Sequence, residues 1–143
     1  MLTMDCIFCK IISGELPSSK VYEDEQVVAF LDIHPVRPGH TLVVPKTHCD
    51  DLLDCDAKVG ARMIEAAQKV GRAVIKGTGA EGVNFGINNG AAAGQIIFHL
   101  HMHIIPRNVG DGLKSWEQQE YREGEMESIA EAIRVTIRDI IKA

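Results

Sequence analysis

The hydrophobic positions of this chain change their period several times, and each change marks an element. Residues 98–105 read Phe-His-Leu-His-Met-His-Ile-Ile. Alternation at period two predicts a strand with His99, His101 and His103 on one face and Leu100, Met102 and Ile104 on the other. Residues 20–23, 26–32, 40–45 and 83–88 read as further strands, bounded by turn residues. Helical spacing appears in three places. Cys6 to Ile12 forms a short helix with Asp5 as its cap and Ser13-Gly14 as its end. Within 50–75, Val59, Met63, Ala66 or Ala67, Val70 and Val74 recur at three- and four-residue steps, with Asp54 or Asp56 as cap and Lys76-Gly77-Thr78-Gly79 as stop. Met126, Ile129, Ala130, Ile133, Ile137, Ile140 and Ile141 draw a stripe along Glu125–Lys142, a packing face for the sheet or a second subunit.

The intervening stretches are polar or small. Asp32 to Gly39 is a stiff loop with two prolines and a glycine, and Asn89 to Gln95 is a run of small residues leading into the histidine strand. Small residues let backbone N–H groups approach a phosphate closely, although no Gly-Lys-Ser/Thr follows to make a P-loop. After Pro106 the chain reads as a surface loop, in which the sole tryptophan, Trp116, either anchors the loop, the favoured reading, or caps a ligand pocket.

At 143 residues, 45% apolar and 24% charged, the chain is sized for one domain with a real core. Its net charge of -5 gives no general attraction to nucleic acid or anionic membrane. No apolar run reaches membrane-span length, and the start Met-Leu-Thr-Met-Asp-Cys lacks the regions of a signal peptide, so a cytoplasmic protein is expected. Its cysteines, Cys6, Cys9, Cys49 and Cys55, are then expected as thiols or metal ligands rather than disulfides.

Three in-register histidines concentrate groups that titrate near neutrality. On a strand, neighbours stand ~6.6 Å apart and the outer pair ~13 Å apart, too far for one metal to hold all three. A division of labour is expected. Cys6 and Cys9 share one face of the first helix and offer half of a zinc site or a pair of buried thiols.

Four segments together carry a resemblance: Cys6-x-x-Cys9; Asp32-Ile33-x-Pro35-x-x-Pro38-Gly39-His40; Pro45-Lys46-x-His48; and His99-Leu-His101-Met-His103-Ile-Ile. In this order they resemble the histidine triad (HIT) family, whose signature is His-φ-His-φ-His-φ-φ, and most closely its Hint branch, also called protein kinase C interacting protein-like. The resemblance implies an α+β fold: an antiparallel sheet of about five strands, one long central helix, a short N-terminal helix and a C-terminal amphipathic helix. A single domain over 1–143, with its core at about 5–107 and a variable tail at 108–143, is expected, as is a homodimer.

It also implies a nucleotide-binding hydrolase. His101 would attack the α-phosphorus of a purine nucleoside phosphoramidate or dinucleoside polyphosphate, and water would release a monophosphate such as AMP. His103 would contact the phosphate and leaving group, with Asn88 and the backbone near Gly94-Gln95 as further donors. Asp32 would take the ribose hydroxyls, and Ile7, Phe8, Ile11, Phe30 and Ile33 would form the base slot. Cys6, Cys9, His48 and His99 would hold a structural zinc, Cys49 being the rival ligand, and His40 would support the triad from beside it. One departure stands out: Ile96 occupies a position where many Hint relatives carry a hydroxyl. Two competing readings follow from the same residues. One is a nucleotide-binding regulatory module with little turnover. The other is a metal hydrolase with His101 and His103 as ligands.

Overall fold

The computed structural model describes residues 5–143. The first four residues, part of the start read above for a leader, lie outside them. The elements run α1 (Ile7–Ile12), β1 (Lys20–Glu23), β2 (Val27–Leu31), β3 (Thr41–Pro45), α2 (Ala57–Thr78), β4 (Gly82–Gly86), β5 (Met102–Arg107) and α3 (Glu125–Lys142). The strands form a five-stranded sheet in the order β1-β2-β3-β5-β4. Every neighbouring pair is antiparallel. This is the α+β arrangement expected from the sequence.

The two faces of the sheet bury different residues because side chains alternate along each strand. Val27, Ala29, Val43, Met102 and Ile104 point to one side and pack with Met63, Ala66, Ala67, Val70 and Val74 of α2. Val28, Phe30, Leu42 and Val44 point to the other and pack with Phe8 and Ile11 of α1. The stripe read from the sequence is therefore the face by which α2 covers the sheet. Asp56 caps α2, its Oδ1 accepting from the Lys58 N–H at 2.8 Å.

Several expectations require correction. The cap of α1 is Cys6 rather than Asp5: the Cys9 N–H donates to the Cys6 Sγ at 3.4 Å. The strand carrying the histidines begins only at Met102, because the ladder to β3 pairs no residue before Met102 with Val43. The segment before it is held by other bonds, among them the Leu100 N–H to the Cys49 carbonyl at 2.8 Å. The alternation nevertheless persists, since Leu100, Met102 and Ile104 all enter the α2-side core. Cys49 and Cys55 are joined as a disulfide. The expectation of four thiols or metal ligands rested on compartment, and it missed that a six-residue separation brings these Cα atoms to 5.4 Å, within bridging range.

The chain divides into two compact units, one ending at Asp111 and the other comprising Gly112–Ala143. In the second, α3 buries none of its residues, and Ile129, Ile133, Ile137 and Ile140 are all exposed. The apolar stripe read from the sequence is present, and its residues are exposed. Trp116 is 94% exposed, so it is not the buried loop anchor read from the sequence.

Candidate functional site

The histidines gather on the α1 side of the sheet. Phe8 stands edge-on to His101 at 5.1 Å between ring centroids and to His99 at 5.9 Å, and it packs in turn on Phe30. The apolar first helix thus forms a wall beside the triad. His99 is fully buried and His101 is 8% exposed.

Each ring has one nitrogen fixed by a main-chain group or by a neighbouring ring, and this decides what the other nitrogen can do. The His99 Nε2 lies 2.8 Å from the Pro45 carbonyl, which only accepts, so this nitrogen carries the proton and Nδ1 keeps a free lone pair. The His101 Nδ1 lies 2.7 Å from the His99 carbonyl and donates to it, which leaves the His101 Nε2 with its lone pair and, among the described residues, no hydrogen-bond partner. The Val36 N–H donates to the His40 Nδ1 at 3.0 Å, so a neutral His40 is protonated at Nε2. That Nε2–H faces the His103 Nδ1 at 2.9 Å and donates to it. His103 is then left with its own proton on Nε2, as a donor. Two residues apart in sequence, the three rings differ: His99 offers an Nδ1 lone pair, His101 an Nε2 lone pair and His103 an Nε2–H.

Burial favours the uncharged state of each ring. It is the largest influence on His99 and His103, both pushed down to about 4, and it also lowers His101 and His40. All four are neutral at pH 7. A neutral imidazole with a free Nε2 is a competent nucleophile there.

Cys6, Cys9, His48 and His99 form a cluster whose ligand atoms could hold a metal ion. Cys6 Sγ to His99 Nδ1 is 3.4 Å, Cys9 Sγ to His48 Nδ1 is 3.3 Å, Cys9 Sγ to His99 Nδ1 is 3.5 Å, and the two ring nitrogens are 3.0 Å apart. A tetrahedral zinc with its usual bond lengths separates sulfur–nitrogen ligand pairs by roughly 3.5 Å and nitrogen pairs by roughly 3.3 Å. The spacing therefore fits the ion with small adjustments. The surroundings fit as well: the remote nitrogen of His99 is held by Pro45, and the His48 Nε2 faces the Asp50 Oδ1 at 3.3 Å. Cys49, bound to Cys55, is not available to this set. All four expected ligands are brought together.

A second group, Asp32, His40 and His103, also offers ligand atoms within 4.8 Å of one another. It does not suit a metal. A metal on the His40 Nε2 would require the proton on Nδ1, where the Val36 N–H already points. The expectation that His40 sits outside the zinc set and supports the triad agrees with this geometry.

Asp32 borders the same face. Its Oδ1 accepts from the His34 N–H at 2.9 Å, and its Oδ2 lies 3.7 Å from the His40 Nε2, leaving acceptor capacity toward solvent. Phe8, Ile11 and Phe30 are buried in the α1-side core, whereas Ile7 is half-exposed and Ile33 is 85% exposed. Of the five residues expected to line a base slot, only Ile7 and Ile33 offer substantial surface. Asn88 lies beside Gly94, close enough that a Cβ there would meet its Nδ2 at 3.5 Å.

Gln95 takes a different position from the one its place in the sequence suggested. Its buried Oε1 accepts from the Gly90 N–H at 2.8 Å, and its Nε2 donates to the Asp50 carbonyl at 2.6 Å and the Ile97 carbonyl at 3.1 Å. The Gly94 and Gln95 N–H groups are also engaged, with the Ala91 and Gly90 carbonyls. Gln95 braces the small-residue loop from within. Sequence reasoning missed this brace, as it missed the Val36–His40–His103 chain. Only the Gln within an otherwise small, apolar run hinted at the former.

The largest cavity described is elsewhere. It measures about 480 Å³ and lies where β1, β2 and α2 meet, lined by Val21, Leu31, Val70 and Val74, with no triad residue in it.

A sheet backed by one long helix, with three differently protonated imidazoles on its other face, defines an α+β protein of the histidine-triad kind. The chain belongs to the HIT domain family: the family model matches residues 13–110. It is similar to "Protein hit" of Bacillus subtilis, 45% identical over 133 residues, covering 90% of this chain and 92% of that one. It is also 45% identical over 121 residues to the adenylylsulfatase HINT3 of Arabidopsis thaliana, covering 85% of this chain and 60% of that protein. Among solved structures, SMU.412c of Streptococcus mutans superposes with a TM-score of 0.89 at 42% identity, covering 94% of this chain and 87% of the other. A zinc-bound histidine triad family protein of Mycobacterium smegmatis gives 0.75 at 44% identity, covering 87% and 89%.

Proposed function

We propose that this protein is a nucleotide-binding hydrolase that cleaves purine nucleoside phosphate derivatives through a covalent intermediate on His101. The observation that carries this is the bare Nε2 of His101, held there by the Nδ1–H bond to the His99 carbonyl at 2.7 Å. The Nε2 lone pair attacks the α-phosphorus and forms a P–N bond. The bond from phosphorus to the leaving group breaks, and that group takes a proton. Water then attacks the same phosphorus and releases the nucleoside monophosphate, returning neutral His101.

The other residues have roles that follow from their positions. The His103 Nε2–H donates to a phosphate or leaving-group oxygen or nitrogen. Asn88 and the loop that Gln95 braces supply further dipoles near Gly94. Asp32 accepts from the ribose hydroxyls. The base lies against the exposed Ile7 and Ile33, over the wall made by Phe8, Ile11 and Phe30. With Ile96 88% exposed and carrying no hydroxyl, leaving-group contacts fall to His103 and Asn88. The adenylylsulfatase name of one relative makes an adenylylated anion a substrate to test beside an amine-leaving one.

Cys6, Cys9, His48 and His99 would hold zinc. When bound, it supplies a structural clamp with no open position. The chain's own contribution is to tie α1 and its Phe8 wall to the segment carrying the nucleophile.

Incubation with adenosine phosphoramidate or adenylyl sulfate tests the reading. The expected result is AMP release that His101→Ala abolishes, with an AMP adduct on His101 in the acid-quenched wild-type protein. Equal AMP release by both proteins would sink it. AMP binding with no adduct and no turnover would instead identify a regulatory nucleotide-binding module.

A further inference from the structure

Cys49 and Cys55 open and close the short loop that joins β3 to α2, and the proposed reaction uses neither. Their Cα atoms are 5.4 Å apart, and the two are joined as a disulfide. Cys49 is buried and Cys55 is half-buried. Cys6 and Cys9, in the same chain, are unbridged.

The loop they close is a junction. The Cys49 carbonyl accepts from the Leu100 N–H at 2.8 Å, one residue from His99 and His101. The Asp50 carbonyl accepts from the Gln95 Nε2 at 2.6 Å. The Leu52 N–H donates to the Asn89 Oδ1 at 2.8 Å. Three of the bonds that locate the histidine segment and the small-residue loop therefore end on residues 49–52, inside the span the bridge closes. Within that span, the Asp51 Oδ1 accepts from the N–H groups of Leu53 and Asp54, and the Cys55 N–H donates to the Asp51 carbonyl at 3.2 Å. These are local turn bonds, individually weak, so the covalent link is the strongest restraint on the span.

We propose that the Cys49–Cys55 pair is a thiol–disulfide modification site whose state sets how firmly the loop 88–95 is held beside the triad, and that its reactant is a dithiol. The chemistry is an exchange. A reductant thiolate attacks the more accessible Cys55 Sγ; the Cys49–Cys55 bond breaks and Cys49 leaves as a thiolate. The reductant's second thiol then attacks its own sulfur in the mixed disulfide and expels Cys55 as a thiolate. The protein gains two electrons and, once both thiolates are protonated, two protons. The reductant becomes a disulfide. An environment that leaves Cys6 and Cys9 unbridged also acts on the accessible edge of the bridge at Cys55. Reduction frees residues 49–55 to move, and the hold of Asp50 on Gln95 and of Leu52 on Asn89 weakens with them. The preorganised loop beside the nucleophile then becomes mobile, at a cost in phosphate affinity.

The consequence for affinity rests on the proposed nucleotide binding, and the experiment separates the two. The full chain is prepared oxidised and then reduced with dithiothreitol, each state being verified by intact mass. Amide hydrogen exchange of residues 88–97 and AMP affinity are measured for wild type and Cys55→Ser. Reduction is expected to raise exchange across 88–97 and weaken AMP binding several-fold in wild type. Cys55→Ser should match the reduced protein under both conditions. Identical exchange in the two wild-type states overturns the proposal. So does a redox response that persists in Cys55→Ser, which would assign the effect to Cys6 and Cys9. If that variant misfolds, the wild-type comparison and the same measurement on Cys55→Ala still decide. An absence of AMP binding in every state defeats the functional reading alone, because the exchange data still report on the bridge.

Discussion

At the scale of single residues, what separates the three triad histidines is which lone pair each keeps. His99 keeps Nδ1, His101 keeps Nε2, and His103 spends Nδ1 on His40. The His40 link predicts a graded response. His40→Ala should lower turnover by about fivefold, the scale of one hydrogen bond of about 1 kcal/mol. His40→Gln, whose amide N–H can still donate, should recover part of it, and steady-state rates on adenosine phosphoramidate check both. The pH response follows from burial. His103 is pushed from 6.5 to about 4, so the fold prefers its neutral form. Above 6.5 this preference is fully expressed as stability. As pH falls below 6.5 the unfolded chain takes up the proton first, and the advantage is lost progressively until about 4. His40, lowered in the same direction, adds to the trend. The midpoint of thermal unfolding should therefore fall between these pH values, and a His103→Asn variant should show a shallower fall.

At the scale of elements, two short features position the site. Gly39 has φ +97, and a Cβ there would meet the Thr78 Cγ2 at 2.7 Å and the Pro106 Cγ at 3.4 Å. Gly39→Ala adds left-handed strain to a clash where the loop before His40 crosses the end of α2. It is expected to cost about 2 kcal/mol or more in urea unfolding. Asp56→Ala removes the α2 cap and should cost about 1 kcal/mol in the same assay, with little effect on nucleotide affinity. The elements themselves were largely legible in the sequence. The stripe of Met63, Val70 and Val74 named the buried face of α2, and alternation named the faces of the histidine segment even where it is not a strand. The misreadings have local causes. Cys6 displaced Asp5 as a cap because its sulfur sits where it accepts from the Cys9 N–H, as a capping oxygen does. The start of β5 was placed too early because the chain before Met102 satisfies its backbone through the Cys49–Cys55 loop and not through β3. Bonds of that kind leave no periodic trace in sequence.

At the scale of the whole molecule, the four proposed metal ligands come from α1, the end of β3 and the histidine segment, so an ion there would join parts distant in sequence. One zinc per chain is expected by elemental analysis. Removing it with a chelator should lower the unfolding midpoint and loosen α1, read as increased exchange of the amides of residues 7–12, before turnover chemistry at His101 is touched. Cys9→Ser should reproduce that loosening without a chelator. The four residues were legible through the resemblance, and the structure brings their ligand atoms together. A periodic stripe reports that a face is apolar; what covers it depends on the rest of the assembly. Among the described residues, no helix is long and apolar enough to cross a membrane.

The ring orientations at the triad are addressed mainly to main-chain atoms: the carbonyls of Pro45 and His99 and the N–H of Val36. Carbonyls are supplied by every amino acid and the N–H by all but proline, so the protonation pattern is insulated from ordinary side-chain substitution at positions 36 and 45. Genetic variation can tune what surrounds the rings without rewriting which nitrogen bears hydrogen. Two edits reach it directly: proline at position 36, or an α-hydroxy acid in place of Val36 that exchanges the amide for an ester. The ester is the cleaner probe. It deletes one hydrogen and leaves every side chain in place, and it should release the His40 tautomer and, through it, that of His103.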